Sequence, residues 1–184
     1  MLTPYPAVAQ SDTIAASTQR WVERVVVGLN LCPFAKAVHV KRRIRYAVTA
    51  SVNADQLLSE LEHEVEALIA TDVAAVETTL LIHPLVMADF IDYHFFMDEA
   101  VAALKRLDVV GVVQIAGFHP QYQFAGTDSE DMSNFTNRSP HPMLHLLRES
   151  SIESAVAAFP IASDIFNSNI AKLRTLGYEG WRKL

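Results

Sequence analysis

Cysteine is nearly absent from the sequence, which has only Cys32 among 184 residues. A single cysteine cannot form an internal disulfide, whereas small secreted domains often depend on several. The sequence therefore lacks the features of a disulfide-stabilised secreted scaffold. We expect the protein to work in a reducing compartment.

Long apolar runs are also missing. No stretch reaches the roughly 20 apolar residues that a membrane-spanning helix needs. Residues 1–10 have neither the basic start nor the apolar centre of a signal peptide. We therefore expect a cytoplasmic protein with no membrane partner. Because they contain two prolines and no periodicity, residues 1–10 are expected to form a loose N-terminal arm.

Basic residues are fewer than acidic residues in the sequence. Lysine and arginine total 15 against 21 aspartate and glutamate residues, which gives a net charge of -6. Binding to a nucleic-acid backbone depends on clustered basic residues that release counterions, so we expect no nucleic-acid partner. The densest basic cluster is Lys41–Arg43 with Arg45. An alternating apolar stretch follows it, which indicates a solvated strand entry.

The apolar content of 51% is enough for one substantial core. The chain has no internal repeats and no low-complexity linkers, so we expect residues 1–184 to form one domain. Apolar residues at helical spacing predict a first helix that starts between residues 11 and 17. Gly28 and Asn30 suit its C-terminal cap.

Helical and strand periodicities alternate through the next part of the chain. A period of two predicts a strand over residues 43–50. Asn53 is then placed to cap a helix with a continuous apolar stripe. A second strand is predicted at residues 77–83 and a third helix at residues 89–107. His94 lies on the apolar stripe of that helix and is expected to be a core histidine.

Residues 109–115 form a nearly unbroken apolar run, which predicts a central strand buried on both faces. Strands separated by single helices imply a parallel arrangement, so the three carboxyl ends should share one edge. A short fourth strand is possible within residues 117–124. We predict an α/β fold: a three-layer sandwich with a small, mainly parallel sheet of three to four strands, covered by about five helices.

The last third of the chain is predicted to be helical. Ser139 suits a helix N-cap and Pro140 the first helical position, which predicts a helix to about Phe159. A final helix should be capped near Ser163 and end at Gly177.

Polar residues cluster where the strands end. Two strand ends have the same pair, His83-Pro84 and His119-Pro120, and ligands collect beyond the carboxyl ends of open parallel sheets. The loop after His119 should approach the predicted N-terminus of the Ser139 helix, where free amides attract anions. The sequence thus predicts an anion pocket, with binding residues Asn134, Asn137, Arg138, Ser139 and Arg148.

A metal site on the same predicted helix is an alternative. His141, His145 and Glu149 have the spacing of one helix face, and His119 or His83 would complete a zinc set. The flanking prolines and Arg148 disfavour this site, so no metal ligands are assigned. A purely structural alternative is that these residues cap the helix and contact neighbouring loops.

Cys32 precedes Pro33, Phe34 and Ala35. A thiolate at a helix N-terminus would be stabilised there, which is typical of redox motifs. The second cysteine of such motifs is absent, and the upstream segment has helical spacing rather than that of a strand. A small buried residue at a turn is the alternative.

Three blocks of the sequence resemble an uncharacterised bacterial family, domain-of-unknown-function family 1415. They are residues 30–35, 118–124 and 134–149, and the resemblance extends from about Trp21 to the last helix. It implies a stand-alone bacterial protein. It implies no activity, cofactor or catalytic residue.

Our leading hypothesis from the residues is an enzyme acting on a small anionic metabolite. Arg138, Arg148 and the Ser139 helix would hold the anion, and His119 or His145 would move a proton. Tyr122 and Cys32 are further catalytic candidates. Alternatives are a non-catalytic binding module for an anionic ligand or partner, Cys32 thiol chemistry, or a His/Glu metal site. The sequence specifies neither a cofactor nor an oligomeric state.

Overall fold

A computed structural model describes residues 6–158 and 163–184, with side chains described for residues 10–157 and 165–184. In chain order its α-helices and strands are α1 (Pro6–Trp21), α2 (Ala35–Val40), β1 (Ile44–Val48), α3 (Ala54–Ala70), β2 (Thr78–Ile82), α4 (Phe90–Arg106), β3 (Val113–Phe118), β4 (Met143–Arg148), α5 (Glu149–Ala158) and α6 (Ser163–Trp181). A π-helix, Val22–Val27, continues α1, and a 3-10 helix, Met132–Thr136, precedes β4. Within the described residues the fold is mixed α/β.

The sheet has four strands in the order β1-β2-β4-β3. β1 and β2 are parallel, whereas β4 is antiparallel to both of its neighbours, β2 and β3. The expectation of a mainly parallel sheet is therefore wrong, because the last strand enters between two strands that run the other way. The three-layer arrangement stays a prediction.

The shared edge of carboxyl ends survives this correction. β1, β2 and β3 all run in one direction, since β4 alone reverses. Ile82 and Phe118, the last residues of β2 and β3, both pair with Met143 at the start of β4. His83 and His119 therefore flank the entry of β4 into the sheet.

Helices pack against the sheet through two clusters of apolar side chains. α3 and α4 pack on one face, where Leu57, Leu61 and Val65 meet Leu81 and Leu144. The side-chain oxygen of the α3 cap, Asn53, accepts a hydrogen bond from the Gln56 amide at 2.9 Å, as the sequence predicts. α1 and the π-helix cover the other face, where Val22 packs with three sheet residues: Leu80, Ile82 and Met143.

The predicted helix from Ser139 is wrong. Residues 143–148 form β4, and helix begins only at Glu149. The Ser139 hydroxyl donates to the His141 carbonyl at 2.7 Å instead of capping a helix. The expected end of that helix, Phe159, lies outside the described residues. Without this helix, its N-terminal amides cannot form an anion site.

Two strand predictions also fail. β3 occupies residues 113–118, later than the predicted 109–115, and it lies at the edge of the sheet. Val110 and Val112 are consequently exposed by 67% and 48%. Residues 119–124 form a loop and not a fourth strand.

Smaller differences concern the helices. α1 begins at Pro6, inside the segment expected to be a loose arm. His94 is exposed, because α4 turns Tyr93 and Phe96 inward instead. Gly177 has φ +63° and ψ 174°, so it interrupts α6 where the sequence predicts its end. No helix among the described residues combines the length and apolarity needed to cross a membrane.

Candidate functional site

His119 and His83 meet at the shared edge but are used structurally. Both are completely buried, and both rings pack against Tyr93. His119 Nδ1 accepts from the Gln121 amide at 3.0 Å, so Nε2 holds the proton and donates it to the Met87 carbonyl at 3.1 Å. Burial lowers the pKa of His119, and it lowers that of His83 to about 4. Both rings are thus neutral at pH 7.

His145 lies on the opposite face of the sheet from His119. Its ring is near Phe118, on the face covered by α1. The Thr78 hydroxyl donates its hydrogen to the Leu146 carbonyl at 2.6 Å, so His145 Nε2 donates to that hydroxyl at 2.7 Å. Burial lowers the pKa of His145 to about 4. The two predicted proton carriers therefore do not share one site.

Arg148 lies at the far end of β4, opposite Val113. Its guanidinium donates to the carbonyls of Leu68 and Thr71 at the end of α3 and to the carbonyl of Val76, just before β2. Arginine near a helix C-terminus satisfies carbonyls that have no partner in the helix. Arg148 is thus separated from Arg138 and caps α3.

Asn134 and Asn137 brace the loop between β3 and β4. Asn134 Oδ1 accepts from the Phe124 amide and the Thr127 hydroxyl, both at 2.9 Å. Asn137 Nδ2 donates to the Gly117 carbonyl at 3.1 Å. These side chains shape the loop that holds Arg138.

Tyr122 and Cys32 occupy apolar surroundings. The Tyr122 ring packs against Phe90 and Phe124, and burial raises the pKa of its hydroxyl. Burial also raises the pKa of Cys32, although the amides of Phe34 and Ala35 oppose this. A raised pKa keeps Cys32 a thiol at neutral pH, which disfavours nucleophilic chemistry.

A cleft of about 550 Å³ lies between α1, the loop before β4 and the segment after Gly177. Its lining includes Arg138 and Ser139, two of the anion-binding residues predicted from the sequence. It also includes aromatic and basic residues that the sequence does not predict as binding residues: Arg20, Trp21, Phe135, Tyr178, Trp181 and Arg182. Its volume is within the range of roughly 300–1,000 Å³ usual for small-molecule sites.

Arg138 is held in position by the loop and an aromatic ring. Its Nε donates to the Tyr122 carbonyl at 3.2 Å, and one terminal nitrogen donates to the Ser129 carbonyl at 2.5 Å. The guanidinium carbon lies 4.2 Å from the centre of the Phe135 ring, a cation-π contact. The charge therefore has a defined orientation.

The other two arginines have little ionic compensation. Among the described residues, no carboxylate lies within 4.0 Å of Arg20, and Glu179 reaches only that distance from Arg182. Arg182 and Glu179 are largely exposed, so their attraction is weak. No aspartate or glutamate is part of the cleft lining described by the structure. The cleft is basic within an acidic protein.

Local backbone geometry brings the aromatic residues to the cleft. The positive φ of Gly177 turns the chain before Tyr178 and Trp181. The Trp181 ring then meets the Phe135 ring at 5.0 Å, nearly edge to face. On the other side, Trp21 immediately precedes the π-helix, a rare element often found at functional sites.

Ser17, Ser139 and His141 form a hydrogen-bonded rim. Ser17 Oγ donates to the Ile14 carbonyl at 2.8 Å, so His141 Nε2 donates to Ser17 at 3.0 Å. Ser139 Oγ donates to the His141 carbonyl. Both serine hydroxyls already donate their hydrogen within the protein, so they can only accept a further hydrogen bond.

Two other arrangements are less suited to the predicted chemistry. A second cleft, of about 560 Å³, lies across the π-helix but includes Glu23 beside His39 and Arg42. The helix face considered as an alternative metal site does not form, since His145 is in a strand and Glu149 in a helix. No group of three potential metal ligands occurs within residues 6–158 and 163–184.

Of the anion-binding residues predicted from the sequence, Arg138 and Ser139 line the cleft, whereas Asn134, Asn137 and Arg148 do not. The residues that α1 and the C-terminal segment contribute to the cleft are not predicted from the sequence. One signal was available: Trp21 and Trp181, the two tryptophans of the chain, both line the cleft. Because the two tryptophans lie 160 positions apart in the sequence, no local pattern indicates that they line the same cleft.

Comparison with known proteins gives a family without an assigned function. No curated protein and no solved structure matches the chain. One family profile, described as "Protein of unknown function (DUF1415)", matches residues 13–183, nearly the whole chain. The protein therefore belongs to the DUF1415 family.

Proposed function

We propose that the protein binds a small anion in the cleft that contains Arg20, Arg138 and Arg182. The observation that supports this most directly is that three arginines from three separate segments line one cleft with no acidic residue in its described lining. Guanidinium groups match carboxylate and phosphate oxygens in a planar, bidentate geometry. A bound anion would supply a direct counter-charge in addition to the attraction of Glu179 for Arg182 and of Glu130 for Arg138.

The three arginines would contribute differently. Arg138 is oriented by its bonds to the Tyr122 and Ser129 carbonyls. Its burial lowers its pKa, which reflects the cost of holding its charge away from water. Arg20 and Arg182 are exposed and would close on the ligand. A bound anion would offset the desolvation cost of Arg138.

The proposal concerns binding and includes no proton transfer. Both ring nitrogens of His119 have backbone partners, and His145 lies across the sheet from it. This favours the binding module among the hypotheses drawn from the sequence. We also propose a reducing, cytoplasmic setting, because Cys32 is free.

Inorganic pyrophosphate is a suitable first probe, with isothermal titration calorimetry as the measurement. We expect Arg20→Gln and Arg182→Gln each to weaken pyrophosphate binding about tenfold, since each removes a charged hydrogen-bond donor. Arg138 is left intact because it also braces the loop.

Arg106→Gln is the matched control, since Arg106 pairs with Glu62 on the surface, away from the cleft lining. It should leave the affinity unchanged. Failure of the wild-type protein to bind pyrophosphate and other small anions would refute the proposal. Equal weakening by all three substitutions would also refute it, because binding would then follow overall charge.

A further inference from the structure

We propose that the anion bound in the arginine cleft carries a planar ring with N–H donors, in the manner of a nucleoside monophosphate. This inference rests on the proposed function and specifies its ligand class. An inorganic anion would contact the guanidinium groups and leave most of a 550 Å³ cleft empty. The remaining surface indicates what else the ligand contains.

That remaining surface includes exposed aromatic rings. Trp21, from α1, and Tyr178 and Trp181, after Gly177, line the cleft, whereas Phe135 is only 2% exposed and lies beneath Arg138. Tyr178 is 51% exposed, although a tyrosine ring is largely apolar. Planar rings stack on aromatic side chains, and in nucleic-acid complexes each stacked base strengthens binding by about tenfold or more. A ligand ring would cover the Tyr178 face that now contacts water.

The guanidinium groups add flat surfaces to these rings. The Arg138 guanidinium lies over Phe135 at 4.2 Å, which occupies one of its two faces. The Arg182 guanidinium lies 5.9 Å from the centre of the Tyr178 ring. Flat cations and flat rings offer more contact to a planar ligand than to an aliphatic chain. The anionic and planar parts of the ligand would thus contact adjacent groups.

The serine rim supplies acceptors for N–H groups. Ser17 and Ser139 both line the cleft and both donate their hydroxyl hydrogens to backbone carbonyls. Each hydroxyl can therefore receive a hydrogen bond from a ligand but has none left to give. A ring with an exocyclic amino group or ring N–H matches this pattern, whereas a bare phosphate has no such donor.

The test compares AMP with two of its parts. Ribose 5-phosphate has the phosphate but no base, and adenosine has the base but no phosphate. Binding to the full chain is followed by tryptophan emission and repeated by calorimetry. We expect AMP to bind about tenfold more tightly than ribose 5-phosphate, in line with the gain from stacking one ring.

A substitution separates the two parts of the ligand. Tyr178→Leu should lower the affinity for AMP more than the affinity for ribose 5-phosphate, so that the roughly tenfold difference between the two compounds disappears. Phe95→Leu is the matched control, because Phe95 is an aromatic residue 67% exposed on α4 and outside the cleft lining. Loss of AMP affinity in both variants would overturn the inference.

The outcomes distinguish the inference from the function on which it rests. Equal affinities for AMP and ribose 5-phosphate would overturn the ring and keep the anion site. Equal affinities for AMP and adenosine would overturn the anion site. Absence of binding by all three compounds and by pyrophosphate would overturn both.

Discussion

Two arginines with the same expected role differ completely in their surroundings. Arg138 stacks on Phe135 and lines the cleft, whereas Arg148 donates to two carbonyls at the end of α3 and to the Val76 carbonyl before β2. The residue type alone could not separate these roles, because the same guanidinium N–H groups donate to carbonyl and to phosphate oxygens.

Arg148→Met should therefore reduce stability and spare binding. The substitution leaves the Leu68, Thr71 and Val76 carbonyls without this donor, which costs about 2–3 kcal/mol. Urea denaturation gives the stability, and calorimetry with pyrophosphate gives the affinity. A weaker pyrophosphate affinity in a folded variant would show that Arg148 belongs to the site.

Gly117 tests the packing between β3 and α4. A Cβ at this position would lie 2.6 Å from the Tyr93 hydroxyl and 3.3 Å from the Met97 sulfur. We expect Gly117→Ala to lower the free energy of unfolding by about 1–3 kcal/mol through overpacking. Tyr93→Phe removes the clashing oxygen along with its bond to the Met143 carbonyl. The double variant should lose less than the two single losses combined, and additive losses would contradict the contact.

Buried neutral histidines predict a pH dependence of stability. His83 and His145 have pKa values lowered to about 4, below the usual value near 6.5 of an unfolded chain. Between these values the unfolded state binds more protons, so stability falls as pH drops from about 6.5 to about 4. His145→Asn should flatten the slope of unfolding free energy against pH by up to about one proton. An unchanged slope would mean that His145 titrates normally in the folded protein.

At the scale of elements, β4 marks the limit of what the sequence indicates. Ser139-Pro140 is a strong helix-start signal, and the following Met143, Leu144, Leu146 and Leu147 are good helix formers without β-branching. A strand covered on both faces shows no alternation, so periodicity does not separate it from a buried helix. What decides the outcome is the space between β2 and β3, which only the assembled fold defines.

Other elements were predictable because their signals are local. Asn53 caps α3 as its position indicates, α4 lies within the predicted residues 89–107, and the strands at residues 44–48 and 78–82 follow their patterns. Arg138 and Ser139, from the polar segment, line a cleft, although the helix predicted to present them is absent. The α1 and C-terminal sides of the cleft depend on contacts distant in sequence, which no local pattern encodes.

The turn at Gly177 determines whether α6 completes the cleft. Its φ of +63° with ψ of 174° is accessible essentially to glycine alone. Gly177→Ala should cost about 1–3 kcal/mol and weaken pyrophosphate and AMP binding, because Arg182, Tyr178 and Trp181 follow the turn. Gly111→Ala is the control, since Gly111 also has positive φ, +82°, but precedes β3 and does not line the cleft. Equal effects of both variants on binding would rule out a positioning role for Gly177.

For the whole molecule, charge is unevenly distributed. The net charge of -6 repels anions at long range, whereas in the proposed function the arginines of the cleft attract them at short range. At physiological ionic strength the screening length is about 8 Å, so the local arginines dominate within the cleft. This arrangement suits a small anion that enters the cleft and disfavours an extended polyanion lying on the surface.

The position of β4 has a consequence for the order of folding. β2 and β3 make no ladder with each other, and both pair with a strand that comes later in the chain. β3 therefore has no pairing partner in the sheet before residue 143 is available. Until then, no hydrogen-bonded strand pairing offsets the entropy cost of bringing β2 and β3 close together. A fragment ending at residue 140 should keep helical circular dichroism but unfold without cooperativity. A peptide covering residues 141–184 should restore the cooperative transition, so that the two pieces fold only as a complementing pair.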